Sequence, residues 1–513
     1  MGLYRFLFRI SKPIHKYTGL ILCLYFLAMG ASGLLLNNPD LIRSAGVPWS
    51  LTPDNYEPKN WNRMYLREGA IKGNQWFLAG KPGVMYSADG GESFRMLTEG
   101  FPSSVYGRDT NSLLVEGENH EITLYAATRS GLHYRNLDQP WHKVNLDTNH
   151  STIVDIVKTP QSIIAFGEKE AFIAQEGNDK FVAKKPAIAH STNQPPVPLF
   201  RVLHDIHNGK ILGAAGKYLI DILSLGLIFL TLSALIIWYV PWRNRRMASW
   251  FKRPGTIFRF SWKYHLKVGI FSVAFLMILA ITGALLRPPL LIAIAPYSID
   301  TDNPLLTLSD RSDGLGGKIR KATYASHDNS LILATDGGFF RGPADLSAPL
   351  QPWHNPVPIH GMGVTVLEEI EPGAYLIGSF MGLYIWNENM GQLWRLPRPG
   401  LQGDNPYRSN DLVSAVVMEE SMPRYRVDYH DGMMPVFARG TATPPAMPAE
   451  IVEHTPLSLW HYLFEFHNGR IFEKWLGSSY MLIVPVAGIL LILLGLTGCI
   501  DWLFRKIRRA KAR

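Results

Sequence analysis

Four histidines recur in matched places in the two halves of this chain. His15 opens the apolar stretch HKYTGLILCLYFLAMGASGLLL, and His265, 250 residues later, opens HLKVGIFSVAFLMILAITGALL. In both, glycine follows four positions on (Gly19, Gly269) and eighteen positions on (Gly33, Gly283). His207 and His467 share a second motif, His-Asn-Gly followed by a basic residue and Ile, ahead of a further apolar stretch. An ionisable residue at a membrane helix is costly to bury and marks function by default. Neutral imidazoles from facing helices supply two axial nitrogens, which suits a low-spin b-type haem in a helix bundle. Twofold pairing then joins His15 to His265 at the cytoplasmic level and His207 to His467 at the outer level, with each pair holding the iron of one of two haem b groups. No Cys-x-x-Cys-His occurs, so covalent attachment is excluded. Two ligands per level also fall short of the three or four that zinc needs.

Other residues stand near these four. Gly19, Gly269, Gly209, Gly469, Gly213, Gly216 and Gly477 would let a flat macrocycle approach the backbone. His204 and His461 lie near the outer level but are not aligned with each other, since Phe464 and Arg201 hold the matching positions; structural or propionate-contacting roles suit them. Arg287, Lys210 and Arg470 could pair with propionates through charge-assisted bonds or snorkel as interface cations. Upright helices would separate the two levels by roughly 40 Å. Either strong tilt, or the haem edges and rings such as Tyr25, Phe26, Phe271 and Trp238, shorten that gap, or one pair is not a ligand pair.

The elements that must position these residues are membrane helices. Stretches 16–36, 216–241, 266–290 and 478–503 each hold about 20 mostly apolar residues, enough to cross a hydrocarbon core of about 30 Å. Segments 1–16, 243–264 and 505–513 carry seventeen Lys and Arg and no acid, so the formal charge of +9 arises wholly there. Such a bias places them in the cytoplasm and makes the charge a topology signal, with no nucleic-acid partner implied. The expected order is residues 1–36 (N-terminus and first helix), 37–200 (first outer insertion), 201–242 (His-Asn-Gly element and second helix) and the basic loop 243–264. It continues with 265–290 (third helix), 291–456 (second outer insertion), 457–504 (second His-Asn-Gly element and fourth helix) and the tail 505–513. The first helix is expected to remain as an anchor, because no small-residue cleavage site follows it. Both cysteines, Cys23 and Cys499, fall inside helices, so the outer insertions contain no disulfide.

The outer insertions show short runs rich in aromatic and β-branched residues between glycine turns, such as 75–80, 122–136 and 373–387. Repeats of about 40 residues of this kind suggest propeller blades, about three per half. Residues 87–94, Ser-Ala-Asp-Gly-Gly-Glu-Ser-Phe, resemble the Asp-box of sialidase-like propeller hairpins, a structural signature. Proline-rich straps at 186–198 and 431–456 precede the two His-Asn-Gly elements. The expected fold is an α+β membrane protein: a four-helix transmembrane bundle built from two tandem repeats, plus an all-β extracytoplasmic propeller-like domain split between two insertions.

The His-x-x-x-Gly starts, the Ser32-Gly33 and Thr282-Gly283 pairs and the histidine entries to the later helices resemble the PepSY-associated transmembrane helix family. That resemblance covers the four helices. It departs at Lys16 and Leu266, at the His-Asn-Gly entries, and in the propeller-like insertions standing where a PepSY domain is usual. It implies an inner-membrane haem protein linked to siderophore-iron reduction, with His15, His207, His265 and His467 as ligands. Together these readings point to a bacterial cytoplasmic membrane protein, a haem-dependent oxidoreductase if it is an enzyme. It would pass electrons from a cytoplasmic or quinol donor to a periplasmic acceptor, with ferric iron in a chelate the favoured one. A membrane-anchored propeller acting as assembly or sensor scaffold, and a transporter with a histidine relay, are the alternatives. No nucleotide-binding fingerprint is present.

Overall fold

The computed structural model describes residues 2–118, 121–146, 152–175, 180–189, 196–246, 255–300, 303–307, 318–399, 411–437 and 443–510. Some residues of the basic loop 243–264, of both proline-rich straps and of the C-terminal tail lie outside the described residues. The chain forms two compact units. One comprises Met1–Ile42, Pro196–Asp310 and Trp460–Arg513, and the other Arg43–Pro195 and Arg311–Leu459.

The first unit is helical. Helix α1 spans Gly2–Ile21, α2 Cys23–Asn37, α3 Leu199–His207, α4 Gly213–Arg246, α5 Thr256–Leu285, α6 Leu459–His467 and α7 Ile483–Ala510. Among the described residues, three continuous helical stretches, containing α4, α5 and α7, are long and apolar enough to cross a membrane. The α1–α2 pair makes a fourth span if taken as one, and it bends by 63°. The single first span expected at 16–36 is therefore broken. Helix α1 is amphipathic, with the cations at 5, 9, 12 and 16 on one helical stripe, whereas α2 has no charge and can be wholly immersed.

Small residues set the helix contacts in matching fashion. A β-carbon on Gly30 of α2 would lie 3.2 Å from the Ser224 carbonyl of α4, and one on Gly488 of α7 would lie 3.0 Å from the Ala280 carbonyl of α5. Close backbone approach of this kind is how membrane helices gain packing energy without a hydrophobic drive between them.

Each His-Asn-Gly motif is a chain reversal. The Asn208 and Asn468 side-chain oxygens accept from the Lys210 and Arg470 amides, both at 2.9 Å, and Gly209 and Gly469 take φ of 82° and 79°. An Asx turn followed by a left-handed glycine ends α3 and α6 directly after the histidine. In the first copy the reversal is tight enough that a β-carbon on Gly216 would lie 1.8 Å from the Gly209 carbonyl. The second copy differs by an inserted turn, Glu473–Leu476.

The second unit is built of antiparallel strand runs. Their first strands are β1 (Glu68–Lys72), β2 (Thr110–Glu116), β3 (Ile153–Lys158), β4 (Ile319–Ala325), β5 (Val364–Glu371) and β6 (Val413–Glu419). Runs starting at β2, β3, β4 and β5 are separate four-stranded sheets. Those starting at β1 and β6 merge into one seven-stranded sheet, because β1 pairs with β6 in parallel through Gly69–Val417 and its neighbours. Apolar clusters fill the space between successive runs: Phe77 with Leu124, Phe172 with Ala127, Phe166 with Leu333, Tyr375 with Ile332, and Leu376 with Val416. A sixth cluster, with Trp76, Val417 and Tyr425, joins the last run to the first. At 87–94, Asp89 accepts from the Ser93 amide at 3.0 Å and from the Ser87 hydroxyl at 2.6 Å, while Phe94 packs edge-on to Trp61. Those hydroxyl and amide donors hold the Asp89 carboxyl well below the usual range.

Candidate functional site

The four histidines meet in the two expected pairs. The ring centroids of His15 and His265 are 6.5 Å apart with planes at 83°, and those of His207 and His467 are 6.2 Å apart with planes at 63°. With metal–imidazole bonds of about 2 Å, two rings ligating one metal from opposite sides place their centroids about 6 Å apart.

Hydrogen bonds at Nδ1 orient all four rings alike. His15 Nδ1 bonds the Leu494 carbonyl at 3.0 Å and the Thr497 hydroxyl at 3.2 Å; His207 Nδ1 bonds the Leu279 carbonyl and the Thr282 hydroxyl, both at 3.1 Å. His265 Nδ1 lies 2.8 Å from the Ser233 hydroxyl, and His467 Nδ1 lies 2.9 Å from that of Ser32. Every one of these hydroxyls donates its own proton to a carbonyl about one turn earlier in its helix. It can therefore only accept from the imidazole. Carbonyls likewise only accept, so Nδ1 of His15 and of His207 carries the proton and Nε2 keeps its lone pair, and the hydroxyls favour the same tautomer at His265 and His467. That is the tautomer a metal-binding histidine needs, fixed by the kind of partner that metal sites use.

The arrangement follows the repeat. Each histidine is held by the other half: His15 by α7, His265 by α4, His207 by α5 and His467 by α2. Beside each hydroxyl stands a small residue. A β-carbon on Gly283 would lie 2.9 Å from His207 Cε1, one on Gly498 3.2 Å from His15 Cε1, and one on Gly33 3.5 Å from His467 Cε1. Ala234 follows Ser233 in the fourth case. The Ser/Thr-Gly pairs were legible as a repeat, but their role as histidine clamps was not. Ser233 and Thr497 gave no signal until the helices were paired.

The inner pair opens onto a cavity of about 630 Å³, in the size range of small-molecule and cofactor sites. Gly19, Gly269, Phe26 and Trp238 line it, with Lys12, Lys16 and Arg505 also on its wall. Gly19 and Gly269 face Leu494 and Leu230 across ordinary contact distance. Phe271, by contrast, is 80% exposed, so it cannot serve as a ring between the levels.

The separation of the levels also differs from expectation. His265 and Thr282, which holds His207, sit seventeen positions apart on the one continuous helix α5, a rise of about 25 Å. The chain reversal after α3 brings His207 down beside α5, so the full length of α4 does not measure the gap.

At the outer level the structure adds a carboxylate that sequence reasoning missed. Glu465 is fully buried, paired with both Arg470 nitrogens and with His461 Nε2 at 3.3 Å. Asp205, also buried, holds the matching place two residues before His207. His461, and Arg201 in the position that matches it, both stand four residues before this carboxylate. Arg470 is thus engaged by Glu465, and the Arg287 guanidinium lies 5.6 Å from the Tyr480 ring centre. His204 is mostly exposed, and its Nδ1 accepts from the Asn208 side-chain amide at 3.1 Å. Among the described residues, no three His, Cys, Asp or Glu side chains converge as a metal-holding group.

The facing imidazoles fit a bis-imidazole metal cofactor at each level, and the cavity beside the inner pair gives it room there. Comparison with known proteins gives one family: the pattern described as "PepSY-associated TM region" matches residues 12–505. No curated protein matches. Among solved structures, the extracellular domain of a hybrid two component system of B. thetaiotaomicron is similar, at 10% identity and a TM-score of 0.35, over 72% of this chain and 32% of that one. The chain thus spans about a third of that relative's length. The computationally designed Ika8 protein is similar at 9% identity and a TM-score of 0.31, over 73% of this chain and 97% of that one.

Proposed function

Because the chain belongs to the PepSY-associated TM family, we propose that it is a b-haem electron-transfer protein of the bacterial cytoplasmic membrane. The observation that carries this reading is the pair of facing imidazoles at each level, every one with its Nδ1 bonded to a hydroxyl from the opposite repeat. Haem bound there would supply a one-electron carrier. His15 with His265 would hold one, and His207 with His467 the other. The protein's role is to fix the rings, keep Nε2 deprotonated and offer small residues where a macrocycle must pass.

The basic bias of the three short segments supports a cytoplasmic placement for them, with the second unit in the periplasm. Six strand runs in sequence, joined first to last through β1 and β6, favour a propeller for that unit. A spacing of about 25 Å between levels, less half the width of each macrocycle, supports electron passage between them. The acceptor we favour is ferric iron in a chelate. Its reduction takes one electron and no acid–base chemistry, and oxygen-rich chelators release Fe(II) readily.

A reduced-minus-oxidised spectrum of the purified protein tests this. The expected result is b-type absorbance for two haems per chain, with about half lost in His15→Ala and the other half in His207→Ala. A featureless spectrum from folded, freshly purified protein that has been supplied with haem and then desalted overturns it.

A further inference from the structure

Away from the histidines, the second unit gathers an excess of positive charge at one place. Arg67 Nη2 and Arg129 Nε donate to the same Asp109 oxygen, at 3.0 and 2.8 Å. Lys81 belongs to this group but donates only to a neutral acceptor, the Arg63 carbonyl, at 2.6 Å. Among the described residues neither Lys81 nor Arg63 has a carboxylate within ion-pair distance. Tyrosine rings give partial compensation instead. The Arg63 guanidinium lies 5.2 Å from the Tyr56 ring centre, Lys81 Nζ 5.7 Å from that of Tyr65, and Arg129 5.1 Å from that of Tyr106. Arg67, Arg129 and Lys81 thus act on Asp109, with Arg63 beside Lys81, in a partly buried setting where like charges repel more than they would in water.

The backbone beside them is strained. Asn60, Trp61, Arg63 and Met64, none of them glycine, adopt φ of 51°, 63°, 56° and 63°. Conformations of this kind persist only where surroundings over-determine them. Here they do. The Arg63 amide donates to the Tyr429 carbonyl at 2.9 Å, the Asn62 side chain to the His430 carbonyl at 2.6 Å, and the buried Trp61 indole to the Pro445 carbonyl at 2.8 Å. Residues distant in sequence therefore force Arg63 into a place that repulsion and strain both oppose, beside Lys81.

We propose that this cluster binds a small polyanion with carboxylate- or catecholate-type oxygens, engaged by Arg63 and Lys81. Combined with the electron-transfer reading on which the ligand's identity rests, this makes the acceptor a ferric chelate of net negative charge.

The test is equilibrium dialysis of the purified full chain, in a neutral detergent, against ferric citrate labelled with radio-iron. The expected result is saturable binding that weakens as salt is raised, weakens about tenfold in Lys81→Gln and in Arg63→Gln, and is retained in Lys81→Arg. Binding of a neutral ferric trihydroxamate with equal affinity overturns the proposal, as does salt-insensitive binding by the unmodified protein, which needs no variant to fold. Displacement of the chelate by phosphatidylglycerol doped into the micelles also overturns it, in favour of a lipid headgroup. The haem spectrum is read in parallel. Absent b-type absorbance with citrate binding intact would sink the electron-transfer reading alone, and the converse would sink only the polyanion site.

Discussion

Gly283 and His207 share a space that admits no further atom: a β-carbon at 283 would lie 2.9 Å from His207 Cε1. The symmetry-related pair is looser, with a β-carbon at Gly33 falling 3.5 Å from His467 Cε1. Gly283→Ala should therefore displace the His207 ring, remove about half of the b-type absorbance and cost about 1–3 kcal/mol in stability. Gly33→Ala should leave the spectrum intact. Equal effects of the two changes would contradict the packing described.

Ser32 is the hydroxyl whose loss should matter most. Its oxygen bonds His467 Nδ1, for which no carbonyl partner is seen among the described residues, whereas His15 and His207 each keep a carbonyl as well. Transfer of haem to an apo-globin scavenger should accelerate by about 10–100-fold in Ser32→Ala. In Thr282→Val and Thr497→Val it should change much less.

Removing one partner from a buried ion pair leaves the other uncompensated. Glu465→Ala should destabilise the helical unit by about 3 kcal/mol, the low end of the usual range because Arg470 is a third exposed. Detergent-resistant thermal melting measures this. Asp205→Ala offers the matching test in the first repeat.

In the second unit, Lys321 lies among three carboxylates, bonded to Glu68 at 2.9 Å and Asp155 at 3.2 Å. Burial, with the charge of Glu68 adding to it, pushes the Glu368 carboxyl up to about 8 from its ordinary 4.5. A raised folded-state value means that the folded form binds the proton more tightly. The resulting stability is present in full below about pH 4.5 and is lost as pH rises towards about 8. Glu368→Gln should therefore flatten the fall in denaturant midpoint between about pH 5 and pH 8.5. An unchanged slope would rule out Glu368 as its source.

Burial, together with the neighbouring Arg67, Arg63 and Arg129, depresses the Lys81 ammonium to about 7 against the pull of Asp109. Below that pH the lysine is cationic and above it neutral, so polyanion affinity should weaken as pH rises through about 7. Comparison with Lys81→Gln isolates this from titration of the ligand. The variant should lose that share of the pH dependence.

Composition and periodicity by themselves determined that this is a membrane protein of two tandem repeats. Runs of about 20 apolar residues have no other stable solution, and cations gather where the chain leaves the bilayer. The paired histidines were equally legible, because a duplicated fold keeps its facing residues duplicated. The His-Asn-Gly motif was half read: its histidine stood out, but its Asn and Gly are turn chemistry that ends α3 and α6 directly after the ring. What only the tertiary structure decided lies between segments far apart in sequence. Which hydroxyl clamps which imidazole depends on how α2, α4, α5 and α7 lie against one another, and single-helix patterns do not encode that. The level spacing depended on a chain reversal, and the crowding of Arg63, Lys81, Arg67 and Arg129 on strand runs meeting from β1 and β2. Contacts of this kind arise from packing complementarity, which no local window of residue types specifies.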